Sequence, residues 1–96
     1  MKKTLILGAL LTATVTLNAT PLYNACSGCH GVKGEKKAMG RSKVINKMGK
    51  QDIVTALKGY KTGTYGGAMK AVMKGQSMRL SETDIQTLAE HISKLK

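Results

Sequence analysis

Two cysteines, Cys26 and Cys29, stand with His30 in the stretch YNACSGCHGVKG, and the chain has no others. Two thiols separated by two residues can serve a redox enzyme, a metal site or a disulfide. A thioredoxin-like oxidoreductase places CxxC beside a strand-helix-strand unit, and no such unit is visible around this one. A zinc site needs four ligands; Cys26, Cys29 and His30 supply three within five residues, and the other histidine, His91, lies sixty-one positions later. A disulfide across two residues would close a tiny loop and stabilise the fold little.

The longer string CxxCH is the attachment signature of a c-type haem. Thiols about one helical turn apart can each add across one of the two vinyl groups at a haem edge, giving two thioethers. The neighbouring His30 is then held beneath the iron, where a ring nitrogen can coordinate it. Gly28 and Gly31 leave room for a flat macrocycle against the backbone. The sixth ligand then matters, because a methionine thioether closes the site, whereas an open position admits small molecules. Met39, Met48, Met69, Met73 and Met78 are all candidates, against the ordinary use of methionine as a filler of core gaps. Met39 and Met48 follow the motif so closely that the chain would have to double back. Met69 and Met73 share a helical face, so one can point at the iron while the other packs beside the ring.

The elements that must position these residues read as helices only. Pro21 stands near the first turn of a short helix that carries Leu22, Ala25, Cys26 and Cys29 at helical spacings. Gly31 and Gly34 open a loop of little periodicity that continues through KKAMGRSKV. A second helix is expected from Asp52 as N-cap through Ile53, Ala56 and Leu57 to a stop at Gly59. After the turn-rich YKTGTYGG comes a stripe of Met69, Val72 and Met73 that ends near Gly75. The clearest element is the last, where Ser81 caps with Asp84 three positions on and Ile85, Leu88, Ala89, Ile92 and Leu95 share one face. No strand alternation, internal repeat or second domain is seen. His91 falls off that apolar face and is expected in solvent; Tyr23 is expected to pack the first helix against the last.

The opening MKKTLILGALLTATVTLNAT has a basic start, an apolar middle and a small residue at its end, the order of a secretory signal peptide. Its apolar run falls short of the about 20 residues that span a bilayer. Cleavage after Ala19 divides the chain into a signal over 1–19 and a single domain over 20–96, and places the protein in the periplasm. That cut removes Lys2 and Lys3 and no acid, taking the net charge from +11 to +9 and leaving 77 residues. A domain so small is marginal without a staple, and this one has no Trp, no Phe and a single cysteine pair. One covalent haem c would supply the missing apolar centre. The dispersed positive charge suits acidic docking faces or an anionic membrane surface. An exported chain whose three aromatics are all Tyr, with no nucleic-acid motif, is no nucleic-acid binder.

The segments CSGCHGVKG, KAMG, GYKTGTYGGAMKAVMKG and LSETDIQTLAEHISKLK together resemble the small class I cytochromes c of bacterial periplasms, over nearly the whole mature chain. That resemblance implies an all-α, small cytochrome c-like fold of three to five short helices wrapped around one covalent haem. It implies Cys26 and Cys29 as haem attachment points and His30 as an iron ligand. In the resembling family the sixth ligand stands six residues after the second glycine of the YGG turn, which here is Met73. Tyr60 and Tyr65 then pack in the haem pocket. The chain departs from wider class I habit in having no proline between the haem motif and the sixth ligand, so the carbonyl that receives the His30 ring is not given by the likeness. The implied function is that of a soluble, monomeric electron carrier without enzymatic chemistry, between a quinol-oxidising complex and a terminal oxidase or peroxidase. Two other readings remain: a haem enzyme or gas sensor with an open coordination site, and a thiol-disulfide oxidoreductase.

Overall fold

The computed structural model describes residues 21–95. The signal expected over 1–19 and its cut after Ala19 lie outside the described residues. Helix α1 occupies 21–30 and ends where Gly31 takes φ +90° and donates its N–H to the Ser27 carbonyl at 2.8 Å. This left-handed cap suits a residue without Cβ. The loop that follows holds two 3-10 turns, Ala38–Gly40 and Ile45–Lys47, and is tied back on itself by Asn46, whose N–H reaches the Gly34 carbonyl and whose amide reaches that of Lys33.

Helix α2, Lys50–Thr62, is longer at both ends than the sequence suggests. Gly49 rather than Asp52 is its N-cap, and Asp52 sits in the first turn, where a negative charge meets the positive end of the helix dipole. Gly59 does not stop the helix. A Cβ there would come within 2.5 Å of the Tyr65 Cβ, so this glycine serves the close return of the chain. The stop comes at Gly63, φ 78°, in a Schellman arrangement: its N–H donates to Tyr60 and that of Thr64 to Gly59. Helix α3, Lys70–Ser77, likewise runs past Gly75. Helix α4, Glu82–Ser93, has the expected capping box, with Ser81 Oγ accepting from the Asp84 N–H and Asp84 Oδ2 accepting from the Ser81 N–H, both at 3.0 Å.

Among the described residues there is no strand, and the all-α expectation holds. Helix α2 packs against both α3 and α4, and the second 3-10 turn lies on α4. The core is small: Tyr23 from α1, Ile53, Val54 and Leu57 from α2, and Ile85, Leu88, Ala89 and Ile92 from α4. Every apolar position expected on the last helix is buried except Leu95, which packs partly against the same cluster. Helix α3 adds only one fully buried side chain, Ser77. The chain after α3 is tied to α2: Lys61 Nζ donates to the Leu80 carbonyl at 2.6 Å, and Lys58 pairs with Glu82, the first residue of α4, at 3.1 Å.

His91 corrects the sequence reading. It is half-buried, with its ring 5.3 Å from that of Tyr23 and tilted by 51°. The reason is that α4 has two covered flanks: α2 takes the apolar face, and Tyr23 of α1 covers the side on which His91 projects. Tyr23 itself is buried and joins α1 to α4 as expected.

Candidate functional site

The last two turns of α1 bring Cys26, Cys29 and His30 to the edge of a cavity of about 610 Å³, well inside the roughly 300–1,000 Å³ typical of cofactor and small-molecule sites. Its walls are Ile53, Ala56, Leu57 and Tyr60 of α2, Leu88 and Ile92 of α4, the turn from Tyr65 to Met69, and Val72 and Met73 of α3. Met39, Met48, Arg41 and Lys43 line it from the loop after α1. For a chain of this size the opening is large and chiefly hydrocarbon. Helices α1, α2 and α3 thus each present residues to one shared space.

The chemistry-bearing groups face it in distinct states. Both thiols are free, Cys26 half-buried and Cys29 exposed. Burial pushes the Cys26 thiol up, with Arg79 opposing, so it rests protonated. His30 is 6% exposed, and burial pushes its imidazole down, favouring the neutral ring that binds metals. Its Nδ1 is buried and has no hydrogen-bond partner among the described residues. Tyr60 and Tyr65 meet edge to face with centroids 5.1 Å apart, and burial, then the neighbouring Tyr65, pushes the Tyr60 phenol up. Both rings line the cavity, as the sequence reading expected of pocket walls.

The five methionines separate. Met73 lines the cavity and packs partly against the core. Met69, at the N-cap of α3, lines it as well but is 45% exposed. Met39 and Met48 also reach it, so the loop after α1 does double back. Met39 does so in a left-handed conformation at φ 55°, a sparsely populated state for a residue with a side chain. Met78, the last of the five candidates along the chain, lies outside the cavity on an exposed surface.

No cluster of three His, Cys, Asp or Glu side chains able to hold a metal ion occurs among the described residues, which leaves the zinc reading without a ligand set. Two roles were not legible in the sequence. Arg41 and Lys43 reach the cavity although they sit in an aperiodic loop. The Tyr23 hydroxyl donates to the Gly31 carbonyl at 2.6 Å, and only its place on the Cys26 and His30 face of α1 hints at that.

Comparison of the sequence with known proteins bears on what this cavity holds. The sequence model of the family described as Cytochrome c covers residues 18–96. The chain belongs to the cytochrome c family. Cytochrome c-553 of Helicobacter pylori strain J99 is 40% identical over 99 residues, which span the whole of both chains. Cytochrome c-553 of Nitratidesulfovibrio vulgaris is 36% identical over 88% of this chain and 83% of its own. That of Desulfomicrobium norvegicum is 37% identical over 79% and 92%. Membership brings one covalently bound haem c with its iron, and the class of work is electron transport. The residues fit that group: an apolar cavity, two free thiols on its rim, and a buried imidazole whose Nδ1 has no partner among the described residues.

Proposed function

We propose that this cytochrome carries single electrons in the periplasm, with His30 and Met73 as the two axial iron ligands and Cys26 and Cys29 as the thioether anchors. The observation that supports this most directly is that His30 and Met73, on different helices, line one apolar cavity whose rim carries both thiols. Bound there, the haem supplies a one-electron ferric/ferrous couple, and a thioether opposite an imidazole favours the reduced iron. The chain's own contribution is to hold those ligands, to keep water out with Ile53, Leu57 and Tyr60, and to leave no free coordination position for a substrate. Carriage rather than turnover also suits the five dispersed carboxylates, of which Ser81, Lys58 and Lys94 engage three.

The mature chain in this reading begins at Thr20 after export. It takes electrons from a quinol-oxidising complex and passes them to a terminal oxidase or peroxidase with an acidic docking face, acting as a monomer. The test is expression of the precursor with a haem-attachment system. The expected product has the mass of residues 20–96 plus one haem, a methionine-to-iron charge-transfer band, and no carbon monoxide binding at neutral pH. In Met73→Ala the band disappears and carbon monoxide binds, whereas Met69→Ala keeps the band. A band that survives Met73→Ala overturns the ligand assignment, and ready carbon monoxide binding by the parent protein favours the open-site reading.

A further inference from the structure

We propose that Met39 and Met69 are oxidation sites at the mouth of the cavity, where conversion of both thioethers to sulfoxides lowers the potential of the bound haem and leaves Met73 on the iron; the inference rests on Met73 being the sixth ligand. The methionines from Met39 to Met78 fall into two sets. Met48 and Met73 pack against the core cluster, the ordinary use of a flexible thioether that fills gaps. Met39, Met69 and Met78 are instead 59%, 45% and 56% exposed. An oxidant in solution therefore meets these three first.

Of the exposed three, Met39 and Met69 line the cavity and Met78 does not. They reach it from different elements, Met39 from the first 3-10 turn and Met69 from the N-cap of α3. The turn Ala38–Gly40 holds no buried residue, so an oxygen added to Met39 displaces no packing there. Met69 caps α3 without a side-chain hydrogen bond, so its thioether is not committed to the helix either. The oxidant is hydrogen peroxide, which a carrier feeding a peroxidase would meet. The sulfur lone pair attacks one oxygen, the O–O bond breaks, an S–O bond forms and the second oxygen leaves as water; sulfur loses two electrons and peroxide gains them. Met73 is spared because it packs against the core and because its lone pair is engaged by the iron. What changes is the wall of the site. A thioether is nearly apolar and a sulfoxide is strongly polar, and the polarity of the shell around a metal tunes its potential. Sulfoxide dipoles favour the more highly charged ferric state, so the potential falls. Reductases specific for each sulfoxide epimer restore the thioether, which makes the change reversible. The pair thus turns the carrier into a weaker electron acceptor under peroxide and lets it recover.

The experiment treats the ferric, haem-loaded protein with hydrogen peroxide, maps oxygen incorporation by peptide mass, and measures the midpoint potential and the methionine band before and after. Expected are a single added oxygen on each of Met39, Met69 and Met78 before any on Met48 or Met73, a lower potential, and a retained band. In Met39→Leu combined with Met69→Leu the treatment leaves that variant's own potential unmoved, whereas in Met78→Leu the fall persists. Sulfoxide reductases of both epimer classes return the treated parent to its starting potential. Oxidation of Met73 as early as Met39 and Met69 overturns the proposal, as does a parent potential that the treatment does not lower. These two outcomes need no variant and stand even where the double variant fails to fold. A fall that survives in the double variant, or vanishes in Met78→Leu, overturns it equally. Loss of the band in untreated Met69→Leu, or its survival in Met73→Ala, removes the ligand assignment and the proposal together. A band that depends on Met73, with an unshifted potential in the treated parent, removes the proposal alone.

Discussion

Glu35 shows how much local geometry one exposed side chain can fix beside the turn that follows His30. Its carboxylate lies over Gly31, where any Cβ would collide with it, and Oε1 accepts the Lys33 N–H at 3.0 Å. Hydrogen bonds from its own backbone N–H and from that of Lys33 hold its pKa below the usual value. A carboxylate with a depressed folded pKa contributes stability in full above its unfolded pKa, about 4.3, and loses it as pH falls through the lower folded value. The thermal midpoint of the parent should therefore drop more steeply than that of Glu35→Gln as pH is lowered from about 6 to about 3. The two curves should converge at the acid end. Parallel curves across that range would show that this carboxylate does not govern the turn.

At the scale of elements, α3 depends on its neighbours more than on its own burial, because its one fully buried side chain, Ser77, has a hydroxyl without a partner among the described residues. What fixes the far end of α3 is the charged Lys61 bond to the Leu80 carbonyl. Lys61→Met keeps the stem and removes that donor, and a hydrogen bond to a charged group is worth about 1.5–3 kcal/mol. The expected outcome is a lower guanidinium midpoint, with the methionine band of the haem protein lost before helical circular dichroism as α3 detaches first. Simultaneous loss would mean that α3 is no separate unit.

The legibility of each element follows from where its signals are written. Helix α4 was readable because Ser81, Asp84 and the apolar face are all local. The bounds of α2 were not, because Gly59 has the composition of a stop and the function of a contact with Tyr65, which only the fold reveals. The same holds at the site. Cys26, Cys29 and His30 form one contiguous string, whereas periodicity alone could not choose among five methionines. The cavity narrows that choice by excluding Met78 and leaves four, so the preference for Met73 still leans on the YGG spacing and on its partial burial. The Tyr23 bond to the Gly31 carbonyl had no sequence signature, since a tyrosine on an apolar face reads simply as core.

For the whole molecule the decisive property is where charge is left uncompensated. The chain carries 16 basic and 5 acidic residues. The two ion pairs among the described residues, Lys58–Glu82 and Lys94–Glu90, both lie on the α2 and α4 side. From Lys36 to Lys50 there is no acid at all, and Lys37, Arg41, Lys43 and Lys47 line one shallow groove, of which Arg41 and Lys43 also reach the cavity. A run of positive charge without a neighbouring acid therefore lies along the groove that adjoins the cavity at Arg41 and Lys43, and it should steer anionic reactants to that edge. Salt tests this directly, because the Debye length shrinks from about 30 Å at 0.01 M to about 10 Å at 0.1 M. Reduction of the ferric protein by ferrocyanide should slow on the order of tenfold over that range, while oxidation of the ferrous protein by cationic tris(phenanthroline)cobalt(III) should speed up. Lys43→Glu combined with Lys47→Glu should flatten both dependences, and an equal double reversal at Lys58 and Lys94 should not. Rates indifferent to salt, or equally altered by the two double variants, would mean that net charge rather than its placement at the cavity mouth governs the encounter.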